Sequence, residues 1–250
     1  MFILGPAGTG KTTFTSSFGD FVEAQRVPIT RVNLDPAVEN LPYVPDIDVR
    51  EYVFARKVME DYGLGPNGSI IASIDLLLEH IDEINERIDD EGEGYILIDT
   101  PGQMEVFVFR RSGEEIAKKL IKGRRAAAVF VHDILLALSP SSFISQTFLA
   151  AATYYRIKIP FFNLFNKVDL VERNQLERVR EWVSDNLSLL SALESEVSGC
   201  VRLLSLDLAR ALSDFFSIFS LYFVSSTKMR GFNDVFAELQ RIYTGGDITD

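Results

Sequence analysis

The sequence predicts an α/β fold in which a doubly wound, mostly parallel sheet carries helices on both faces. Short runs rich in β-branched and aromatic residues alternate with helical patterns along the chain. Several of these runs are continuously apolar, as expected for strands that helices cover on both faces. The predicted strands are residues 1–4, 28–33, 95–98, 126–131, 160–165 and 221–225.

We expect a single domain over residues 1–243, because no Pro/Gly-rich linker divides the 250-residue chain. Two stretches, at about 36–94 and 170–220, are longer than the strand connections require, and we predict that they are insertions. Residues 244–250 are expected to form a flexible tail.

The second insertion is rich in apolar residues. Its first helical pattern places five of them on one face: Leu176, Val179, Trp182, Val183 and Leu187. Residues 201–223 are predicted to form a core helix that leads into the last strand. The alternative is a hydrophobic groove that binds a segment of a client protein.

The composition favours a soluble, cytoplasmic protein. Hydrophobic residues make up 47% of the chain, which is enough for a sizeable core. The net charge of −11 repels phosphate backbones, so we expect no direct binding to nucleic acid. One cysteine, Cys200, cannot form a disulfide framework. We expect neither a signal peptide nor a membrane span, because a predicted strand begins at Met1 and the most apolar stretch, 212–224, is short.

A phosphate-binding loop is predicted between the first strand and the first helix. The sequence GPAGTGKT fits the pattern G-x-x-x-x-G-K-[ST], in which exposed N–H groups and a helix N-terminus attract phosphate. Lys11 would reach the β- and γ-phosphates, and the Thr12 hydroxyl would bind Mg²⁺. The alternative is a chance glycine-rich turn. The predicted binding residues are Gly5, Pro6, Ala7, Gly8, Thr9, Gly10, Lys11, Thr12 and Thr13.

A guanine-reading loop is predicted at NKVD, directly after the strand 160–165. Asp169 can accept hydrogen bonds from the N1–H and N2–H₂ groups of guanine, and two such bonds of ~1.5–3 kcal/mol each would favour guanine over adenine roughly 10²–10⁴-fold. The Lys167 stem can pack along the base plane. Asn166 can tie this loop to the phosphate loop. The alternative is a solvated polar turn.

A second base-binding segment is predicted after the last strand. The sequence SSTK resembles the Ser-Ala-Lys loop whose backbone N–H meets guanine O6, and its position supports the assignment. This adds Ser225, Ser226 and Thr227 to the predicted binding residues.

Residues that sense the γ-phosphate are predicted at the ends of two further strands. Asp99 can hold a Mg²⁺-bound water, Gly102 has a backbone N–H for the γ-phosphate, and Gln103 can orient the attacking water. Asp35, at the end of the second strand, can contact the attacking water or a Mg²⁺-bound water. The alternatives are a helix cap or turn residue for Asp99 and a strand-terminating turn for Asp35.

The segments GPAGTGKTT, NLDPA, GPN, DTPGQ and NKVD occur in this order, and with them the chain closely resembles the GPN-loop GTPases. That family belongs to the class of P-loop proteins that includes the signal-recognition GTPases and the MinD-like ATPases. The resemblance covers nearly the whole chain. The long acidic C-terminal extension of some eukaryotic members is missing, so we expect the compact, homodimeric archaeal form.

The resemblance implies a role for GLGPNGS, residues 63–69, which alone reads as an ordinary turn. In the family, the Gly-Pro-Asn loop inserts into the nucleotide site of the partner subunit in a homodimer. Gly65, Pro66 and Asn67 would then lie across the dimer interface. The Asn67 carboxamide would help to stabilise the transferred phosphoryl group or the released phosphate.

These observations predict a Mg²⁺-dependent GTPase that works as a homodimeric switch on GTP and GDP, with Lys11, Asp35, Asn67 and Gln103 as catalytic residues. Thr12, Asp35 and Asp99 would hold the metal. One alternative is a nucleotide-switched assembly factor in which hydrolysis only times partner binding; the family resemblance implies RNA polymerase assembly as its role. Another is a P-loop kinase that acts on a small metabolite.

Overall fold

The computed structural model describes residues 1–196 and 199–245. One seven-stranded sheet forms the centre of the protein, and each pair of neighbouring strands runs parallel. The strands are β1 (Phe2–Leu4), β2 (Ile29–Asn33), β3 (Ile47–Asp48), β4 (Tyr95–Asp99), β5 (Ala128–Asp133), β6 (Phe161–Asn166) and β7 (Leu221–Phe223). The predicted fold class is therefore confirmed.

Twelve α-helices connect or flank these strands within the described residues. They are α1 (Lys11–Ala24), α2 (Ala55–Tyr62), α3 (Pro66–Leu77), α4 (Ile81–Asp90), α5 (Met104–Phe107), α6 (Arg111–Ile121), α7 (Pro140–Ile157), α8 (Arg173–Ser184), α9 (Asn186–Glu196), α10 (Gly199–Ala211), α11 (Phe215–Ile218) and α12 (Phe232–Gly245). Within the same residues, none of the helices combines the length and the apolar character that crossing a bilayer requires.

The strand order β3-β2-β4-β1-β5-β6-β7 places the short first strand at the centre of the sheet. The order along the sheet reverses direction at β1, because the chain passes to β2 on one side and later to β5 on the other. Ligands of open α/β sheets bind at such a point, outside the carboxyl ends of the strands. The loops after β1, β2, β4, β5, β6 and β7 all start from this edge.

Side chains alternate between the two faces of β1. Phe2 and Leu4 join a core beneath the helices of the first insertion, whereas Ile3 joins a core with α1 and α12 on the opposite face. In this second core, the rings of Phe14 and Phe18 stack with their centroids 5.0 Å apart. Helices therefore cover both faces, as the continuously apolar strands predict.

The secondary structure of the first insertion differs from the one that the sequence predicts. Residues 47–48 form the edge strand β3, which the sequence analysis missed. The Gly-Pro-Asn segment is the start of a helix and not a free turn, because Pro66 occupies the first position of α3. Its fixed φ suits that position, where the missing N–H costs no helical hydrogen bond.

The second insertion contains four helices, α8 to α11. Val179 and Trp182 are buried, but Leu187 is 75% exposed, so the single apolar face predicted through Leu187 is wrong. The reason is a helix break: α8 ends at Ser184, Asp185 has an extended backbone, and Asn186 begins α9. Further along, Leu203 and Leu204 are exposed rather than in the core.

The predicted division into domains stays a prediction. The last helix continues to Gly245, so the first two residues of the expected tail, 244 and 245, are helical. The remainder, 246–250, lies outside the described residues.

Candidate nucleotide-binding site

Residues 5–10 form a glycine-dependent loop between β1 and α1. Gly5, Gly8 and Gly10 adopt φ angles of 140°, 80° and 92°, which side chains rarely tolerate. Space is limited as well: a Cβ on Gly10 would lie 2.5 Å from Nδ2 of Asn166. Pro6 and Ala7 complete the loop, and Thr13 lies in the first turn of α1.

Lys11 begins α1 and is almost fully buried at the base of this loop. Its Nζ donates a hydrogen bond to the carbonyl oxygen of Pro6 at 3.0 Å. Burial lowers the pKa of Lys11, and the nearby carboxylates of Asp99 and Asp35 oppose the shift. The phosphate loop, its lysine and both predicted acidic residues therefore meet at one point.

Asp99 ends β4 and is 2% exposed. Burial raises the pKa of its carboxyl to about 6, against the effects of the Thr12 hydroxyl and Lys11. Within the described part of the chain, its Oδ1 has no hydrogen-bond partner. A buried carboxylate oxygen of this kind, beside a threonine hydroxyl, fits Mg²⁺, which proteins bind through one or two carboxylates together with substrate phosphates.

Asp35 lies two residues beyond β2 and faces the same point. Its Oδ1 accepts the N–H of Ala37 at 2.9 Å, and its own N–H donates to Oδ1 of Asn33 at 3.1 Å. Burial raises the pKa of Asp35, while the N–H of Ala37, the Lys11 ammonium and the N–H of Gly102 oppose the shift. The Asp35 carboxylate is thus close to the Lys11 ammonium and to the N–H of Gly102, the two groups that would contact a γ-phosphate.

The segment after β4 packs directly on the phosphate loop. A Cβ on Gly102 would lie 3.1 Å from Cα of Ala7, so the two backbones touch. Gln103 follows at the N-cap position of α5 and is half-buried. The Thr100 hydroxyl donates to the carbonyl oxygen of Ile3 at 2.6 Å and ties this segment to β1.

The predicted guanine loop and the segment after β7 lie side by side. The N–H and Oγ of Ser226 donate to Oδ1 of Asn166 at 3.1 and 2.9 Å. The hydroxyls of Ser225 and Thr227 donate to the two carboxylate oxygens of Asp169. Hydrogen bonding, first of all from Ser225, lowers the pKa of Asp169, so its carboxylate is charged at neutral pH.

Lys167 bridges the base loop, the phosphate loop and the end of β5. Its backbone has a φ of 67°. Its Nζ donates to the carbonyl oxygen of Gly8 and to Oδ2 of Asp133, the latter at 2.6 Å. Asp133 is itself fixed, because its N–H donates to Oε1 of Gln146 at 2.9 Å and its Oδ1 accepts the N–H of Leu135.

Two residues of this site were missed by the sequence analysis. Asp133 ends β5. It could have been predicted in the same way as Asp99 and Asp35, as an acidic residue at the carboxyl end of a strand. Tyr43 donates its hydroxyl to Oδ2 of Asp99 at 3.2 Å. It lies in a loop ten positions beyond β2, and no local pattern marks it.

The Gly-Pro-Asn residues belong to none of these loops, because they lie at the start of α3. Gly65, Pro66 and Asn67 are all exposed at the start of α3. In the described part of the chain, no hydrogen bond joins the Asn67 side chain to the phosphate loop.

Comparisons with known proteins agree with this arrangement. A family model described as "Conserved hypothetical ATP binding protein" matches residues 3–245. GPN-loop GTPase 1 of Dictyostelium discoideum is 33% identical over 241 residues, which cover 96% of this chain and 60% of that protein. GPN-loop GTPase 1 of Saccharomyces cerevisiae is 32% identical, and the match covers 62% of its length. The chain thus spans about three fifths of these two relatives.

An archaeal relative matches along its whole length. GPN-loop GTPase PAB0955 of Pyrococcus abyssi is 33% identical over 250 residues, which cover 98% of each protein. The crystal structure of PAB0955, described as a GTPase in apo form, superimposes with a TM-score of 0.87 and covers 98% of this chain and 97% of that one. On the strength of the matched sequence, the shared fold and the loops described above, the chain belongs to the GPN-loop GTPase family.

Proposed function

We propose that the protein is a Mg²⁺-dependent GTPase that converts GTP and water to GDP and phosphate. The observation that carries this proposal is the contact of Asn166 with both the phosphate loop and Ser226, because it joins a triphosphate site to a base site. The name of the archaeal relative, which matches along its whole length, supports the activity. The family description mentions ATP, so the choice of base is the first point to test.

The residues at the carboxyl edge supply what phosphoryl transfer needs, which is mainly positioning and electrostatic stabilisation. Lys11 and the N–H groups of the phosphate loop would neutralise charge on the phosphates. Asp35 and Gln103 would position the attacking water, and the N–H of Gly102 would contact the γ-phosphate. Loss of that phosphate would release Gly102, which makes the segment after β4 a switch.

Thr12 and Asp99 would hold Mg²⁺, and Asp35 would contact one of its waters. When bound, the metal would neutralise the developing negative charge on the phosphates. The buried Oδ1 of Asp99, which has no hydrogen-bond partner among residues 1–196 and 199–245, supports this assignment, since an unpaired carboxylate oxygen is costly to bury.

We further propose that the protein acts as a homodimer in which Asn67 enters the partner's site. The support is family membership, together with the exposure of Asn67 and its place at a rigid helix start. A neutral carboxamide should contribute less than an arginine finger, which is worth roughly 10³–10⁵ in rate. We also propose that the protein is soluble and cytoplasmic, as its composition predicts.

The test is phosphate release with GTP and Mg²⁺ and no other acceptor. Wild type should release phosphate steadily, and Lys11→Ala should abolish the release. Lys57→Ala, which alters an exposed lysine of α2, is the matched control and should behave as wild type. Retained turnover in Lys11→Ala would refute the site assignment, and absence of release by wild type would point to a kinase instead.

A second candidate function is that of a nucleotide-switched assembly factor, with RNA polymerase assembly as the role implied by the family. It is favoured by the exposed apolar side chains of the second insertion: Leu187, Leu203, Leu204 and Ile218. Slow turnover combined with GTP-dependent changes in hydrogen exchange across α10 and α11 would support it. Fast turnover with no such change would contradict it.

A further inference from the structure

Tyr43 lies on the connection between β2 and β3 and reaches the carboxylate at the end of β4. Its hydroxyl donates to Oδ2 of Asp99 at 3.2 Å, across 56 positions of sequence. Oδ1 is the oxygen that has no partner among the described residues. The two oxygens of this carboxylate therefore have different surroundings. Oδ2 accepts the Tyr43 hydroxyl, whereas Oδ1 accepts no hydrogen bond from the described residues and could bind a ligand.

The position of Tyr43 is well defined. Pro42 and Pro45 restrict the backbone on either side of it. The carbonyl oxygen of Pro42 accepts a hydrogen bond from the Ser16 hydroxyl of α1 at 3.5 Å. Tyr43 is half-buried, whereas its neighbour Val44 is 87% exposed, so the tyrosine ring faces the protein interior.

We propose that Tyr43 is a positioning residue for metal binding, which fixes the Asp99 carboxylate so that Oδ1 faces the coordination site. This inference rests on the proposed function, in which Asp99 holds Mg²⁺. Hydrogen-bond partners of metal-ligating carboxylates orient them, and removing such a partner typically weakens metal binding. Because Tyr43 belongs to the loop that follows Asp35, it also links the position of that loop to the metal site.

The test measures the dissociation rate of a fluorescent GDP analogue across a range of Mg²⁺ concentrations. Tyr43→Phe keeps the ring and removes the hydroxyl. We expect it to need ~10-fold more Mg²⁺ for half-maximal retention of the nucleotide. Its affinity for GDP in EDTA should equal that of wild type, because the phosphate and base loops are unchanged.

Tyr222→Phe is the matched control, since it removes a comparable bond in which a tyrosine hydroxyl donates to Glu238 at 3.0 Å. It should require the same Mg²⁺ concentration as wild type. The inference is overturned if Tyr43→Phe also matches wild type, or if it loses GDP affinity equally with and without Mg²⁺. If nucleotide retention by wild type does not depend on Mg²⁺, the metal assignment itself fails and the inference fails with it.

Discussion

Nδ2 of Asn166 donates a hydrogen bond to the backbone carbonyl oxygen of Thr9 at 3.1 Å, across 157 positions of sequence. Oδ1 of the same side chain accepts two hydrogen bonds from Ser226. A single amide, 1% exposed, therefore holds the phosphate loop, the predicted guanine loop and the segment after β7 together. Buried networks of this kind rigidify a site when every member is satisfied.

Asn166→Ala should weaken GDP binding roughly 10–100-fold, because about 1–3 kcal/mol of buried hydrogen bonding is lost at the junction of the loops. Titration calorimetry measures the affinity, and thermal melting checks that the variant is folded. Asn174→Ala, at an exposed asparagine of α8, serves as the control. Equal affinities in a folded Asn166→Ala variant would show that the junction does not organise the site.

Asp133→Asn should weaken GDP binding and GTP binding equally, by roughly 10–100-fold, because a partly buried charged hydrogen bond contributes ~1.5–3 kcal/mol. The ion pair with Asp133 holds Lys167, whose stem would pack along the base. GDP and GTP carry the same base, so both should be affected. Asp207→Asn, which removes an exposed ion pair with Arg210, is the control and should leave both affinities unchanged. Loss of GTP affinity alone would place Asp133 at the phosphates instead.

Asn67→Ala should slow turnover and leave nucleotide binding unchanged, and mixing it with Lys11→Ala should restore part of the activity. In a mixed dimer of the proposed kind, the Lys11→Ala subunit would supply an intact Asn67 to the site of its partner, which retains Lys11. Phosphate release by the mixture is compared with the sum of the two variants measured separately. A mixture no more active than that sum would mean that the loop does not act across subunits.

His132→Gln should flatten the dependence of stability on pH. His132 lies in β5 and is fully buried, its Nε2 lies 3.0 Å from Oδ1 of Asn163 in β6, and burial lowers its pKa to about 4. In the unfolded chain this histidine takes up a proton near pH 6.5, so the free energy of unfolding of wild type decreases as the pH falls from 6.5 to 4, by ~1.4 kcal/mol per pH unit.

Denaturant unfolding at pH 7.5 and pH 5 measures this effect for wild type, His132→Gln and the control His80→Gln, which alters a half-buried histidine at the start of α4. His132→Gln should lose less stability between the two pH values than the other proteins. An equal loss in all three would assign the pH dependence to other groups.

Much of the fold could be predicted because its signals are local. Several strands are apolar runs, such as YILI in β4 and AVFV in β5, and the glycine pattern after β1 marks the phosphate loop. The edge strand β3 has two residues, which is too short for any periodicity to show. The break between α8 and α9 was missed because both segments are apolar at helical spacing, although Leu187 ends up exposed.

The site residues that belong to sequence motifs could be predicted. Those that only long-range packing brings into the site could not. The motifs around Lys11, Asp99 and Asn166 are contiguous in sequence, and the sheet brings them together. Tyr43 reaches Asp99 only through the path of a long loop, which leaves no mark in the local sequence. The helical start at Pro66 was hidden by Gly-Pro-Asn-Gly, since the same residues are also typical of turns.

The proposed function is that these loops bind a magnesium-bound triphosphate and that Asp169 selects guanine. It is tested most directly by titration calorimetry of GTP and ATP, in the presence of Mg²⁺, against wild type and Asp169→Asn. We expect wild type to prefer GTP by roughly 10²–10⁴ and the variant to lose most of this preference, because the carboxylate would accept two charge-assisted hydrogen bonds from guanine. Equal affinity of wild type for both nucleotides, or an unchanged preference in Asp169→Asn, would contradict it.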